Sequence, residues 1–361
     1  MTVLSPIKKS RDIYTVIDIG NNKISCLIGT SMKTNDVQTK ILGFGQHASL
    51  GMSNGLVTNM DQIANSIARA VEGAESMAGF PIKNVICSLT GGRPITKLIR
   101  NKLKINNGKI VKSDLAKIQK INNPEQIDNY SQLSSTPIKY LIDNDNYVEN
   151  PIGMYSNNLI VDITSTYGNK AIMKNIANAV ELCHLSVQKF IICPEASGIS
   201  TMIKDERKNG AMIIDLGESI TSIGFFMNEE IVFSDSIPIG GVHITSDIVR
   251  GLGTKSEDAE KIKILYGSAL SNETDEFTNI EVPIISDDGD IHNQQIPKAM
   301  LTAIIKPRTE EIFELVRNRF DRFKIKSSPI DKIILCGGGA NLNNIRELAS
   351  TYFKTNVRIG R

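Results

Sequence analysis

The chain contains no tryptophan, and aromatic residues make up only 5% of its 361 residues. It has five cysteines, an odd number without a Cys-x-x-Cys pair: Cys26, Cys87, Cys183, Cys193 and Cys336. Disulfide-rich secreted scaffolds and zinc modules need cysteines paired at characteristic spacings, so this usage argues against both. We therefore expect buried thiols in a reducing cytosol, with no metal site built from them.

The chain also lacks an excess of charge of one sign, and it lacks long apolar runs. Lys and Arg number 41 and Asp and Glu 39, a formal net charge of +2 with the two signs mixed along the chain. We therefore expect no broad electrostatic surface for nucleic acid. No apolar run approaches the roughly 18 residues of a transmembrane helix, and the first residues lack the apolar centre of a signal peptide. These absences predict a cytoplasmic protein.

The chain is long enough for more than one core. Its 361 residues, 41% of them apolar, exceed the roughly 250–300 residues at which single cores stop growing. Asn59–Met77 has apolar residues at helical spacing and lies between strand-like segments, as does Ala171–Leu185. This alternation predicts a mixed sheet with helices on its faces and two or more lobes.

One local pattern occurs twice. Asp18-Ile-Gly20-Asn-Asn-Lys23 follows a strand-like segment, and Asp215-Leu-Gly217-Glu-Ser-Ile220 follows another 197 positions later. In each copy an Asp ends the first strand, and the Gly two residues on allows a sharp turn with outward N–H groups. Carboxylate oxygens and water suit Mg²⁺. Two such turns facing each other predict a site that clamps the phosphates of a nucleotide.

A third turn is rich in glycine. Gly337-Gly338-Gly339-Ala-Asn341 follows the apolar strand Ile333–Cys336 and precedes the helical pattern Leu342–Tyr352. Its glycines would let a nucleoside approach the backbone closely. The G-x-G-x-x-G order of a dinucleotide-binding turn is not present. Three turns in this order are far more specific than any one of them.

With these turns the chain resembles the actin/Hsp70-type ATPase superfamily, whose members carry two phosphate turns and an adenosine turn in this order. Within it the chain resembles the FtsA family of bacterial cell-division proteins. The resemblance covers most of the chain from Ile13 onward and is weakest between about Asn101 and Asn158. Further stretches that carry it are Gly240–Val249, Ser256–Gly267, Ile305–Val316 and Phe353–Gly360.

The resemblance implies an α/β, actin-like (ribonuclease H-like) two-lobe ATPase fold with an inserted small α+β subdomain, called 1C or SHS2. Residues 84–166 are expected to form this subdomain, since about 80 residues are too many for a structureless loop. The other expected parts are subdomain 1A at 12–83 and 167–210, subdomain 2A at 211–243 and 322–361, and subdomain 2B at 244–321.

The same resemblance implies that ATP and Mg²⁺ bind. Asp18 and Asp215 would hold Mg²⁺ through water. The residues implied for the first phosphate turn are Gly20, Asn21, Asn22 and Lys23, and those for the second are Gly217, Glu218 and Ser219. The adenosine side would be closed by Gly337, Gly338, Gly339 and Asn341.

Glu260 and Lys263 are a further implied pair. They lie three residues apart on one helical face, where they would meet the ribose and adenine edge or form an ordinary ion pair. The second phosphate turn departs from the family pattern, since Glu218, Ser219 and Ile220 replace two glycines and a threonine. Ile220 has no hydroxyl and Glu218 would repel phosphate. We therefore expect a weak ATPase at most.

Partners follow from the resemblance too. In the family, subdomain 2B binds the acidic C-terminal tail of FtsZ, the tubulin-like division protein. Four basic residues are expected to serve this contact, unless they form a solvated face balanced by neighbouring glutamates: Lys298, Lys306, Arg308 and Arg317. Filament formation, contacts of 1C with later division proteins and a place at the septum on the inner membrane face are also implied. The family's amphipathic membrane helix is not present before Arg361, so the chain is expected to be shortened or attached to the membrane indirectly.

Other members of the superfamily are alternatives. A sugar or acetate kinase would need a catalytic Asp between the phosphate turns, and we find no convincing one. A chaperone ATPase would need a following substrate domain. A pilus-assembly actin homologue is the most similar alternative, but Ser256–Gly267 and Phe353–Gly360 favour the FtsA family.

The second lobe is expected to repeat the strand plan of the first. The predicted strands are Met212–Asp215, Ile220–Phe226 and Glu230–Asp235, with a turn at Asn228 and Glu229. The predicted helices are Val242–Gly251, Glu257–Tyr266 and Pro297–Phe320, the last with Pro307 as a kink or first turn. Asp287–Asp290 is predicted to form a hairpin turn.

Overall fold

The computed structural model describes residues 13–33, 37–106, 108–121, 127–143, 146–285, 290–323 and 330–360. The chain divides into two compact units, Met1–Leu89 with Ala171–Ile191 and Thr90–Lys170 with Ile192–Arg361. The four subdomain boundaries expected from the sequence stay predictions. Among the described residues, no helix is long and apolar enough to cross a membrane.

Strands make up most of the regular structure. They are β1 Ile13–Ile19, β2 Lys23–Lys33, β3 Val37–Ala48, β4 Met52–Ser53, β5 Leu56–Val57, β6 Asn84–Leu89, β7 Ile95–Lys104, β8 Tyr130–Ile142, β9 Asn146–Val148, β10 Asn158–Asn169, β11 Ser186–Ile192, β12 Ala211–Leu216, β13 Thr221–Met227, β14 Glu230–Ile237, β15 Asn279–Ile285, β16 Ile291–Pro297, β17 Lys332–Cys336 and β18 Asn356–Ile359.

Helices connect and cover the sheets. They are α1 Met60–Ala78, α2 Lys112–Lys120, α3 Lys170–Glu181, α4 Cys193–Thr201, α5 Lys204–Asn209, α6 Gly241–Leu252, α7 Ser256–Tyr266, α8 Lys298–Arg322 and α9 Ile345–Phe353. Short 3₁₀ turns lie at Glu273–Glu276 and Gly338–Asn341.

The first unit contains a five-stranded sheet in the order β11-β6-β1-β2-β3. Strands β1, β2 and β3 form an antiparallel meander, and β1 is parallel to β6. Cys26 and Cys87 are buried in this sheet, and burial raises the pKa of each thiol to about 12. All five cysteines of the chain are free thiols, with Cys183 and Cys193 only partly buried.

Helix α1 lies directly on β3. Asn59 caps its N-terminus by accepting a hydrogen bond from the Gln62 N–H, and Gly79 ends it with a φ of 81°. A β-carbon at Gly45 would lie 2.0 Å from the Ala70 carbonyl oxygen, so the close contact requires glycine. The buried residues of α1 follow helical spacing: Ile63, Ser66, Ile67, Ala70, Val71 and Ala74.

The second unit contains a sheet built on the same plan. Its order is β14-β13-β12-β17-β18: β12, β13 and β14 form an antiparallel meander, β12 is parallel to β17 as β1 is to β6, and β17 is parallel to β18. The register is repeated as well, since Asp18 pairs with Ser25 and Asp215 pairs with Ser222. The predicted repeat of strands is confirmed. Its core packs Ile214 and Phe225 of the sheet against Phe313 of α8.

Helices α6, α7 and α8 and the hairpin β15–β16 surround a smaller core, which includes Ile248, Ile262 and Ile305. The predicted helices in this region are confirmed to within a few residues. Pro307 lies inside α8 rather than in its first turn, with its ring on an exposed face. Residues 287–289 of the predicted hairpin turn lie outside the described residues. The strands on either side of them pair antiparallel.

The inserted segment forms a four-stranded antiparallel sheet in the order β7-β10-β8-β9, with α2 against it. The predicted α+β character is confirmed, and β8 and β10, of 13 and 12 residues, are the longest strands of this sheet. Two register shifts occur in β8, at Leu133 and Ile138. These two residues pack against the cores of the β12 sheet, as expected of bulges that redirect side chains.

Some helix boundaries differ from the sequence predictions because of left-handed residues. The predicted helix Leu342–Tyr352 begins later, at Ile345, after Asn344 with a φ of 57°. The predicted helix Ala171–Leu185 ends at Glu181, and His184 has a φ of 59°. Helix α4 was not predicted, since its sequence lacks apolar periodicity. It lies against the sheet through Gly198, where a β-carbon would be 2.2 Å from the Phe226 ring.

Candidate functional site

The two Asp-x-Gly turns have the same hydrogen-bonded geometry. The Gly20 N–H donates to the Lys23 carbonyl at 3.0 Å, and the Gly217 N–H donates to the Ile220 carbonyl at 3.0 Å. A β-carbon would lie 2.9 Å from that carbonyl oxygen at Gly20 and 2.7 Å from it at Gly217. Each turn therefore needs a glycine, and the sequence repeat corresponds to a structural repeat.

Each turn carries its aspartate beside a serine. The Ser88 hydroxyl donates to Oδ1 of Asp18 at 2.5 Å, and the Ser197 hydroxyl donates to Oδ2 of Asp215 at 2.8 Å. Ser88 belongs to β6, the parallel neighbour of β1, and Ser197 belongs to α4. Sequence reasoning identified both aspartates and neither serine.

The first turn is tied to the chain around it. Oδ1 of Asn21 accepts a hydrogen bond from the Gly55 N–H at 2.9 Å, and the Asn22 carbonyl accepts one from Ser49 at 2.9 Å. Lys23 is exposed at the start of β2. The Asn21 side chain is therefore engaged with the β4–β5 turn, and the roles expected for Gly20, Asn21, Asn22 and Lys23 stay predictions.

The second turn is joined to the N-terminus of α6. The Gly217 carbonyl accepts from the Gly241 N–H at 3.0 Å, and the Glu218 carbonyl accepts from the Val242 N–H at 2.8 Å. Ser219 and Ile220 are buried. Ile220 is only 4% exposed, so its apolar side chain is packed in the interior beside the turn.

Glu260 and Lys263 form an ion pair with each other. The ammonium Nζ of Lys263 lies 2.7 Å from Oε2 of Glu260, 2.9 Å from the Thr245 hydroxyl and 3.1 Å from the Gly241 carbonyl. These bonds connect α7 to the first turn of α6. Gly241 links the pair to the second turn, because its carbonyl accepts a hydrogen bond from Lys263 and its N–H donates one to the Gly217 carbonyl. The ribose and adenine role of the pair stays a prediction.

The glycine-rich turn packs against Asp215. Gly337 has a φ of 83°, and a β-carbon there would lie 2.4 Å from Oδ1 of Asp215. At Gly338 a β-carbon would meet nothing within 4 Å. Asn341 is exposed at the end of the 3₁₀ turn. In the second unit, the structure therefore brings together the predicted second phosphate turn, the Glu260–Lys263 pair and the glycine-rich turn.

The carboxylates suit a hydrated cation rather than a protein cage. In the described part of the chain, no group of three or more His, Cys, Asp or Glu could hold a metal ion. Mg²⁺ usually keeps several waters and takes only one or two carboxylates, with phosphate oxygens completing its shell. Each of the two turns supplies one such carboxylate, Asp18 in the first unit and Asp215 in the second.

The four basic residues predicted to bind a partner all contact other parts of the chain. Lys298 pairs with Asp275 at 3.1 Å, and Arg308 forms two bonds with Asp247, at 2.6 and 3.0 Å. Arg317 donates to the Tyr352 carbonyl, and its guanidinium carbon lies 4.4 Å from the centre of the Tyr352 ring. Lys306 pairs with Glu310 at 3.8 Å and is 45% exposed, more than the other paired cations of this set. Their partner role stays a prediction.

Solved structures resemble this chain in fold at low sequence identity. The PilM–PilN type IV pilus biogenesis complex contains a chain 14% identical, with a TM-score of 0.65 and coverage of 97% of this chain and 88% of that one. MreB5 of Spiroplasma citri bound to ADP is 14% identical, with a TM-score of 0.57 and coverage of 97% and 92%. The chain is therefore a protein of the actin-like fold, as predicted.

Curated relatives define the family. The FtsA family model, described as cell division protein FtsA, matches residues 212–361. Cell division protein FtsA of Agrobacterium fabrum is 31% identical over 368 residues, covering 99% of this chain and 83% of that protein. The chain belongs to the FtsA family. The sugar or acetate kinase is not favoured, since the relatives are named as cell division proteins. The pilus-assembly alternative is not favoured either, since the likeness to PilM at 14% identity is one of fold alone.

Proposed function

We propose that this protein binds ATP with Mg²⁺ and acts in bacterial cell division, using the nucleotide to set conformation or polymerisation. The observation that carries the proposal is the repeated turn: the same Gly N–H bond beside a serine-held aspartate occurs in both copies. MreB5, a neighbour in fold, is bound to ADP. The family relationship adds the setting of cell division.

The proposed roles follow from the chemistry of each group. Asp18 and Asp215 would hold the hydrated Mg²⁺, which neutralises phosphate charge when bound. Backbone N–H groups of the two turns would bind phosphates. The open surface at Gly338 would lie against the nucleoside. Because Ile220 has no hydroxyl and is buried, we infer little hydrolysis.

Binding of a fluorescent ATP analogue with Mg²⁺ tests this proposal. Gly338 has open space around its Cα, so Gly338→Arg should place a long side chain in the site without a clash. Gly338→Ala is the matched control. We expect micromolar binding by the parent and by Gly338→Ala and at least a tenfold loss in Gly338→Arg, by the usual scale of about 1.4 kcal/mol per tenfold. A folded parent that binds no analogue would overturn the proposal.

We further propose that the protein binds the acidic C-terminal tail of FtsZ through α8, forms filaments and contacts later division proteins through the inserted sheet. It would do so at the septum, on the cytoplasmic face of the inner membrane. Family membership supports these partners. Among the basic residues of α8, Lys306 is the most exposed of the ion-paired cations and its partner Glu310 is 41% exposed. Lys306 is therefore the ion-paired cation of α8 that is most accessible to an acidic peptide.

A further inference from the structure

The hydrogen bonds of Ser88 determine where its proton points. The Ser88 Oγ accepts a hydrogen bond from the Ile19 N–H at 3.0 Å and donates its own proton to Oδ1 of Asp18 at 2.5 Å. Ser88 is 8% exposed. A hydroxyl has one proton to donate, so this buried serine fixes one oxygen of the carboxylate.

The equivalent strand of the second sheet carries a different residue. Ile17 of β1 pairs with Cys87 of β6, which places Ser88 beside Asp18. In the second sheet Asp215 pairs with Cys336 of β17, so Cys336 occupies the place of Ser88. The Cys336 thiol is hydrogen-bonded to Asp215 as well, but a thiol is a much weaker donor than a hydroxyl. The hydroxyl bond to Asp215 comes instead from Ser197 of α4, at 2.8 Å.

The two copies thus reach the same arrangement by different routes. We propose that Ser88 and Ser197 are positioning residues, each of which holds its own aspartate, Asp18 or Asp215, in the orientation needed to bind the waters of a divalent cation that accompanies the nucleotide. This inference rests on the proposed nucleotide function. Neither serine touches the cation or the nucleotide; each acts through its aspartate.

The physical reason lies in how a carboxylate binds a hydrated ion. An aspartate side chain that rotates freely must lose that freedom when it bonds to the waters of the ion. A hydroxyl bond to one oxygen removes the freedom beforehand and presents the other oxygen in a set direction. Each carboxylate held in this way by its serine would lower the Mg²⁺ concentration needed for nucleotide binding.

A Mg²⁺ titration of fluorescent ATP-analogue binding tests the proposal, with EDTA as the zero point. We expect Ser88→Ala and Ser197→Ala each to raise the Mg²⁺ concentration at half-saturation by roughly tenfold, while binding in EDTA stays the same. Ser88→Thr keeps a hydroxyl and should restore the parent titration. Ser200→Ala is the control on α4, since Ser200 is exposed and its hydroxyl donates to the Ser197 carbonyl rather than to an aspartate.

The outcomes are distinguishable. Unchanged Mg²⁺ half-saturation in folded Ser88→Ala and Ser197→Ala would overturn the positioning role while leaving nucleotide binding intact. An equal loss of binding with and without Mg²⁺ would also overturn it, because that pattern indicates a general disruption of the turns. If Ser88→Ala does not fold, Ser88→Thr and Ser197→Ala decide. A parent protein that binds no analogue would overturn the proposed function and this inference together.

Discussion

At the scale of single residues, Glu206 joins three elements of the second unit. Its carboxylate accepts from Arg358 of β18 at 2.9 and 2.5 Å and from Lys332 of β17 at 3.1 Å, and its side chain is 7% exposed. The hydrogen bond from Arg358 is the main cause that lowers the Glu206 pKa from 4.5 to about 2, with Lys332 adding to it. Glu206 therefore holds α5 against the end of the sheet.

Glu206→Gln is predicted to lower the free energy of unfolding at pH 7 by about 3 kcal/mol, from the size of the pKa shift. The folded pKa is lower than the unfolded pKa, so the stabilisation is present above about pH 4.5 and is lost as the pH falls toward 2. Urea unfolding at pH 7 and pH 3 should show a smaller difference between parent and variant at the lower pH. Glu310→Gln, in an exposed pair with Lys306, should change stability by roughly 0–1 kcal/mol. A difference that grows on acidification would contradict the assignment.

At the scale of elements, the contact of α1 with β3 decides how the first sheet is covered. Gly43 and Gly45 leave space on β3 for the backbone of α1, and β-carbons there would lie 2.2 Å and 2.0 Å from helix carbonyl oxygens. Close approach of this kind is a use of glycine in strands. The helix can move away only by giving up the burial of residues such as Ile63 and Ile67.

Gly45→Ala is therefore predicted to lower the free energy of unfolding by about 3 kcal/mol, the upper part of the range for overpacking. Chemical denaturation followed by circular dichroism measures it. Gly338→Ala is the matched control, since its added methyl meets no atom within 4 Å. Equal stability of the two variants would mean that α1 does not lie as close to β3 as described.

At the scale of the whole molecule, charge is balanced at +2. An acidic peptide is therefore not attracted by net charge, and local contacts must supply the binding energy. We predict that Lys306→Glu weakens binding of a fluorescein-labelled FtsZ C-terminal peptide roughly tenfold, because a charge-assisted bond becomes a repulsion. Fluorescence anisotropy measures it.

Lys204→Glu is the control for that measurement. Lys204 of α5 is 70% exposed and pairs with Glu229, which lies in the turn between β13 and β14. Both residues are far from α8 in sequence. The same change of charge there should leave the peptide affinity within about twofold, as expected for the screened charges of an exposed surface. Equal weakening by both variants would contradict a local site on α8 and indicate a general effect of net charge.

The sequence by itself determined the features that depend on local chemistry. A strand followed by Asp-x-Gly makes the same turn at Gly20 and Gly217, because only glycine fits beneath the carbonyl three residues on. The amphipathic pattern of α1 and the turn at Asn228 and Glu229 were predictable because they too depend on residues close together in the chain. From these local turns the resemblance to a known family predicted the actin-like fold, and the structure confirms that fold.

Only the tertiary structure decided which distant residues complete the aspartate sites. Ser88 reaches Asp18 across 70 positions because β6 pairs in parallel with β1 in one register. Ser197 reaches Asp215 from α4, a helix whose own sequence has too little apolar periodicity to predict. The bulges that direct the side chains of Leu133 and Ile138 toward the cores of the β12 sheet are likewise set by strand pairing. Each depends on a register between segments far apart in the chain, and no local pattern encodes such a register.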